Sequence, residues 1–136
     1  MEDVAELVAE PQVDYTTQPK SQFLDDLENR LQQFKFRCIN VSRALPKEYE
    51  AQHFARQLLR SSSSVTIDFR AIRRSRNQAE YVAKVDVALG ALDEPVFWLE
   101  TLAFTNVMPA DRLHDLTSEG HQIATILSKS RKSVSD

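Results

Sequence analysis

A chain of 136 residues, with 17 Lys and Arg against 20 Asp and Glu, is one domain by size, long enough for a real core and too short for two. Its only glycines, Gly90 and Gly120, lie far apart, which removes the phosphate-cradling loops that need clustered glycines. One cysteine, Cys38, permits no internal disulfide, no apolar run approaches the length of a bilayer span, and the acidic start is unlike a secretory signal, so a cytoplasmic protein without a membrane partner is expected.

Charge is uneven along the chain. Residues 1–20 hold Glu2, Asp3, Glu6, Glu10 and Asp14 against Lys20, a net of −4, so the total of −3 leaves +1 for the remainder. With Pro11 and Pro19, and little apolar periodicity beyond Val4, Leu7 and Val8, this segment reads as a mobile acidic tail or a short docking helix.

From Ser21 the pattern is helical. Leu24, Leu27, Leu31, Phe34, Cys38, Val41 and Leu45 alternate steps of three and four and form one stripe, which Pro46 ends. Glu48 and Glu50 suit the positive end of a second helix, with Phe54, Leu58, Ser61, Val65, Asp68 and Ile72 as its expected core stripe. The run Ser61 to Ser64 falls inside that period and is expected to be helical, its small side chains marking a close crossing. After the basic break Arg73 to Gln78, a third helix carries Tyr81, Val85, Ala88, Leu92, Leu99 and Leu102, with Val82, Leu89, Val96 and Ala103 beside them. Pro95 inside it predicts a kink. Thr105 to Met108 make a turn, Pro109 suits the first position of a fourth helix, and Leu113, Leu116, Gly120, Ile123 and Leu127 form its stripe. The basic residues beyond Ser128 are expected to fray. Four amphipathic helices on short connections predict an all-α, antiparallel up-down-up-down four-helix bundle over residues 21–130, with tails at 1–20 and 131–136.

The stretches QLLRSSSSV and AEYVAKVDVALGALDEPVFWLE resemble the four helix bundle protein family, also called the ribosomal RNA intervening-sequence protein family. The matching features are Glu80 with Tyr81, the Ala88 to Leu92 segment, Glu94, the Trp98 to Glu100 ending, and the LPKEYE turn from Leu45 to Glu50. Thr66 to Ile72 depart from the family's Pro-Ala-Asn-Ile-Ala-Glu-Gly-like segment, with Asp68 where its asparagine would stand. The resemblance implies a homo-oligomer, typically a five-membered ring, with no established enzymatic activity. More distantly the chain is similar to the accessory protein of diversity-generating retroelements, a pentamer associated with reverse transcriptase and nucleic acid.

Arginines supply the functional signal. Arg56, Arg60, Arg70, Arg73, Arg74 and Arg76 face one acid, Asp68, a net of +5 between residues 56 and 76. At about 100° per residue Arg56, Arg60, Arg70 and Arg74 fall within roughly 80°, opposite the core stripe. Such a ridge can track a phosphate backbone without reading sequence; the bland alternative is a solvated face, or pairing with acids of a neighbour or of the tail. Glu50 with His53, and Asp111 with His114, have the spacing of di-iron bundles, but Ile39 to Leu45 offer no carboxylate to complete a site, so no metal or cofactor is expected. Cys38 sits on a core stripe and the serine run lacks a base, so no catalysis is expected; Asp68 reads as a buried structural carboxylate. Gly90, Phe97 and Trp98 are the expected oligomer interface, with Gly90 admitting a close helix at a cost of about 1 kcal/mol. The expected function is a non-enzymatic oligomeric bundle, a homopentameric ring, binding RNA or DNA through the arginine ridge, accessory to a reverse transcriptase or an RNA element. The competing reading is a protein scaffold or adaptor docking through its acidic tail.

Overall fold

The computed structural model describes residues 20–133, with side chains as far as Arg131; the acidic segment before Lys20 lies outside these residues. Among the described residues four helices follow in order: α1 (Lys20–Ala44), α2 (Tyr49–Ala71), α3 (Gln78–Phe104) and α4 (Ala110–Ser133), with a 3-10 turn, Ile72–Arg74, extending α2. Consecutive helices pack side by side and α4 returns to α1, the antiparallel up-down-up-down bundle that the periodicity predicts. No strand occurs among the described residues.

The stripe of α1 is buried from Leu24 to Cys38, Val41 is half-buried, and Leu45 plugs the bundle end just beyond the helix. The chain stops being helical there because a residue before proline is pushed out of the helical region. In α2 the stripe runs Ala51, Ala55, Leu58, Ser62, Val65, Phe69 and Ile72, which corrects the expected one. Phe54 and Asp68 are half-buried at its edge, and Asp68 is no core carboxylate. Both stripes contain Leu58, Val65 and Ile72, and the serines offer no polarity contrast between them; the large ring of Phe69, wholly enclosed, decides the rotation.

Ser61 to Ser64 are helical, as expected. Their hydroxyls donate back to carbonyls of the preceding turn, Ser63 to Leu59 at 2.7 Å and Ser62 to Leu59 at 3.3 Å, so Ser61 and Ser62 bury without stranding a donor.

Asn77 caps α3, its side chain accepting from the Glu80 N–H at 2.8 Å, while the Glu80 carboxylate accepts from the Arg76 N–H at 3.0 Å, a close variant of the reciprocal capping box. The helix then continues through Pro95 without a break, the ring buried in the bundle. It ends where Asn106 takes φ 60°, the Val107 N–H reaching Leu102 O at 3.1 Å and the Asn106 N–H reaching Ala103 O at 3.1 Å, the pairing of a Schellman cap.

On α4 the five expected positions are all buried. Gly120 is where helices converge: a Cβ there would lie 2.6 Å from Val96 Cγ2 and 3.1 Å from Phe34 Cε1. The close-approach glycine of the bundle is therefore Gly120; at Gly90 an added Cβ would meet nothing within 4 Å. α4 also persists past Ser128, where fraying is expected, because the buried Tyr81 hydroxyl donates to Ser130 Oγ at 3.0 Å and the Ser130 hydroxyl in turn donates to Leu127 O at 2.7 Å.

Candidate nucleic-acid interface

The outward face of α2 and its 3-10 extension reads Tyr49, His53, Arg56, Arg60, Ser63, Ile67, Arg70, Arg74. The steps alternate four and three throughout, so these residues form one straight stripe, about 38 Å long at 1.5 Å per residue. All are exposed except half-buried Ser63, and none is a carboxylate. Tyr49 at 87% and Ile67 at 69% are among the most exposed large apolar side chains of the bundle. Sequence reasoning found the arginines and missed these two, although continuing the same spacing back from Arg56 leads to Tyr49.

The six arginines are not equivalent. Arg70 Nε donates to Glu28 Oε2 at 2.9 Å, and Arg73 reaches both Glu28 Oε1 at 2.9 Å and Asp25 Oδ1 at 2.9 Å, all across to α1. Arg76 is turned to its own Glu80 at 2.8 Å, where it braces the start of α3. Arg60 lies 3.8 Å from Glu94 of α3 and bonds Gln57 at 3.2 Å. Arg56 and Arg74 make no hydrogen bond or ion pair among the described residues. Arg73 and Arg76 thus serve the bundle, Arg60 is loosely held, and Arg56 and Arg74 are exposed without a charged partner among the described residues.

Glu28 anchors the paired end. Burial disfavours its charge, but the hydrogen bonds and charges of Arg73 and Arg70 outweigh that and hold its carboxyl below the ordinary glutamate range. For Arg73 burial likewise opposes charge, and Glu28 and Asp25 outweigh it and raise the guanidinium further.

A second surface lies on α3. Val87, Phe97 and Phe104 are 59%, 53% and 90% exposed, and with Gly90 they share the outer side of the helix, within roughly 100°. Trp98 lies off that side. Its ring packs at 5.9 Å from His53, 6.0 Å from Phe54 and 4.9 Å from Phe97, so it joins α2 to α3 within one bundle, and its buried Nε1–H has no acceptor among the described residues.

Elsewhere the chemistry is quiet. Burial pushes the Cys38 thiol up to about 12, with Arg37 pulling weakly the other way, which removes the thiolate at ordinary pH. Glu50, His53, Asp111 and His114 are all exposed, and no group of three or more His, Cys, Asp or Glu gathers among the described residues. No described helix is long and apolar enough to cross a membrane.

Residues 26–129 match the 23S rRNA-intervening sequence protein family. The chain belongs to that family. The match takes in nearly all of the bundle, including the α2 stripe and the outer side of α3, and agrees with the resemblance carried by Gln57 to Glu100. Among solved structures the chain is similar to a protein of unknown function from the S23 ribosomal protein family of Bacteroides thetaiotaomicron, at 22% identity and a TM-score of 0.71, covering 80% of this chain and 97% of that one. At that identity the likeness shows the fold. No curated protein matches the chain.

Proposed function

We propose that this member of the 23S rRNA-intervening sequence protein family is a non-enzymatic, self-associating helical bundle that holds RNA by its phosphate backbone along the outer face of α2. The observation that carries the reading is the stripe itself: exposed arginines in register with Tyr49 and Ile67, no carboxylate among them, and two guanidinium groups left unpaired. Arginine forks bind phosphates bidentately, and Tyr49 offers a base a flat surface to stack on. RNA is taken as the first ligand to test because the family's description names ribosomal RNA. Self-association is supported by the exposed Val87, Phe97 and Phe104 beside open Gly90, since large apolar side chains exposed together on one helix side suit an association surface; a five-membered ring is the closure that the family resemblance implies.

Fluorescence anisotropy with a labelled single-stranded RNA, titrated against salt, tests the reading. Affinity should fall steeply with salt, and each of Arg56→Ala and Arg74→Ala should lower it and reduce the salt slope by about 0.7. Arg76→Ala, already committed to Glu80, should change the slope least. Absence of binding to RNA or DNA at low salt, both by the intact chain and by a variant with Glu2, Glu6, Glu10 and Asp14 neutralised, overturns the proposal.

A further inference from the structure

The residues before Lys20 carry Glu2, Asp3, Glu6, Glu10 and Asp14 and no Lys or Arg, against an α2 stripe that carries Arg56, Arg60, Arg70 and Arg74 and no acid. The segment enters the bundle at the right place. Lys20 and Ser21 line a surface hollow of about 340 Å³ with Ile72, Arg73 and Ser75, so α1 begins beside the end of α2 that bears Arg70 and Arg74. Residues 1–19 can extend to roughly 65 Å at about 3.4 Å per residue, more than the stripe's length of about 38 Å. The acids are spread through the segment, from Glu2 to Asp14, as the arginines are spread along the stripe, from Arg56 to Arg74. Val4, Leu7 and Val8 lie between those acids, and on the receiving face Tyr49, Leu59 and Ile67 are exposed.

We infer that residues 1–19 are the intramolecular occupant of the outer face of α2, an acidic segment that competes with RNA for Arg56, Arg60 and Arg74. The inference rests on the reading of that face as a nucleic-acid interface. A tethered segment acts at millimolar effective concentration, so weak contacts suffice to keep the face covered much of the time. If it is open one-tenth of the time, RNA affinity is lowered about tenfold. Discrimination follows: a long polyanion making many phosphate contacts displaces the segment, and a short one does not.

The test uses the full chain and its neutralised variant Glu2→Gln/Glu6→Gln/Glu10→Gln/Asp14→Asn, with two readouts. One is anisotropy with single-stranded RNA; the other is the amide NMR spectrum of α2 without RNA. Removing acids weakens general repulsion of RNA even if the segment never touches α2, so the NMR readout decides contact. The expected result is about tenfold tighter RNA binding by the variant, together with shifts at Ser63, Ile67 and Arg70 that Arg56→Ala/Arg74→Ala diminishes. Unshifted α2 resonances overturn the inference, and RNA binding by both proteins then leaves the proposed function standing. Shifted resonances with no RNA binding by either protein support the intramolecular contact and overturn the nucleic-acid reading.

Discussion

The two glycines divide the residue scale between interior and surface. At Gly120 a methyl group would press on Val96 and Phe34, so Gly120→Ala should destabilise the fold by about 1–3 kcal/mol despite alanine's better helix propensity. At Gly90 there is open space, so Gly90→Ala should stabilise an isolated bundle by up to about 1 kcal/mol. Urea denaturation of both variants checks the pair, and equal effects would contradict the placement. Cys38 gives a second residue-scale expectation. Enclosed and with its thiol raised to about 12, it should resist alkylation at neutral pH and react only as the chain unfolds. Mass spectrometry after maleimide treatment, with and without denaturant, reads this directly; rapid native labelling would mean that the core of α1 is open.

At the scale of elements, α1 and α2 are tied by the Glu28 cluster and α1 and α4 by Arg30, whose guanidinium donates to Glu119 at 2.7 Å and 2.9 Å and to Gln122 at 2.8 Å. The Glu28 tie has a definite pH dependence. Its folded carboxyl titrates below the ordinary value of about 4.3, so the unfolded chain takes up the proton first. The contribution is complete above about pH 5 and is lost as pH falls through the ordinary value and then the lower folded one. Its partners Arg70 and Arg73 are 63% and 32% exposed, so the tie contributes about 1 kcal/mol at most. Thermal melts of the wild type and Glu28→Gln should differ most near pH 7 and converge as acidification protonates Glu28 in the folded chain as well; a gap that widens on acidification would refute the assignment. Helix rotation was only partly legible at this scale. Leu and Phe at steps of three and four orient α1, α3 and α4 from sequence, but in α2 the serine run leaves two stripes equally apolar until the enclosed ring of Phe69 is seen.

Two outer faces of the bundle are unlike: the stripe on α2 presents arginines without an acid, and α3 presents exposed rings among the carboxylates Asp86, Asp93 and Glu94. Removing the α3 surface should shift assembly without unfolding the protomer: Phe97→Ser/Phe104→Ser should lower the mass in sedimentation equilibrium while helicity by circular dichroism is retained, because both rings are exposed. Trp98→Ala is a poorer probe of assembly, since it also removes packing against His53 and Phe54 and should cost about 3 kcal/mol of fold stability.

What the sequence by itself determined is the four helices of the described residues, their antiparallel order, three of the four buried stripes and the existence of a basic ridge, because these depend on periodicity and composition within one segment. Which arginines remain available was decided only by tertiary structure. Asp25 and Glu28 stand some forty-five residues from Arg70 and Arg73 in the chain, and nothing local to α2 reports that α1 brings them alongside. The same holds for the glycines: the local pattern makes Gly90 the conspicuous one, yet the close approach occurs at Gly120, where Phe34 of α1 and Val96 of α3 converge on α4, and convergence of three helices is a property of the assembled bundle alone.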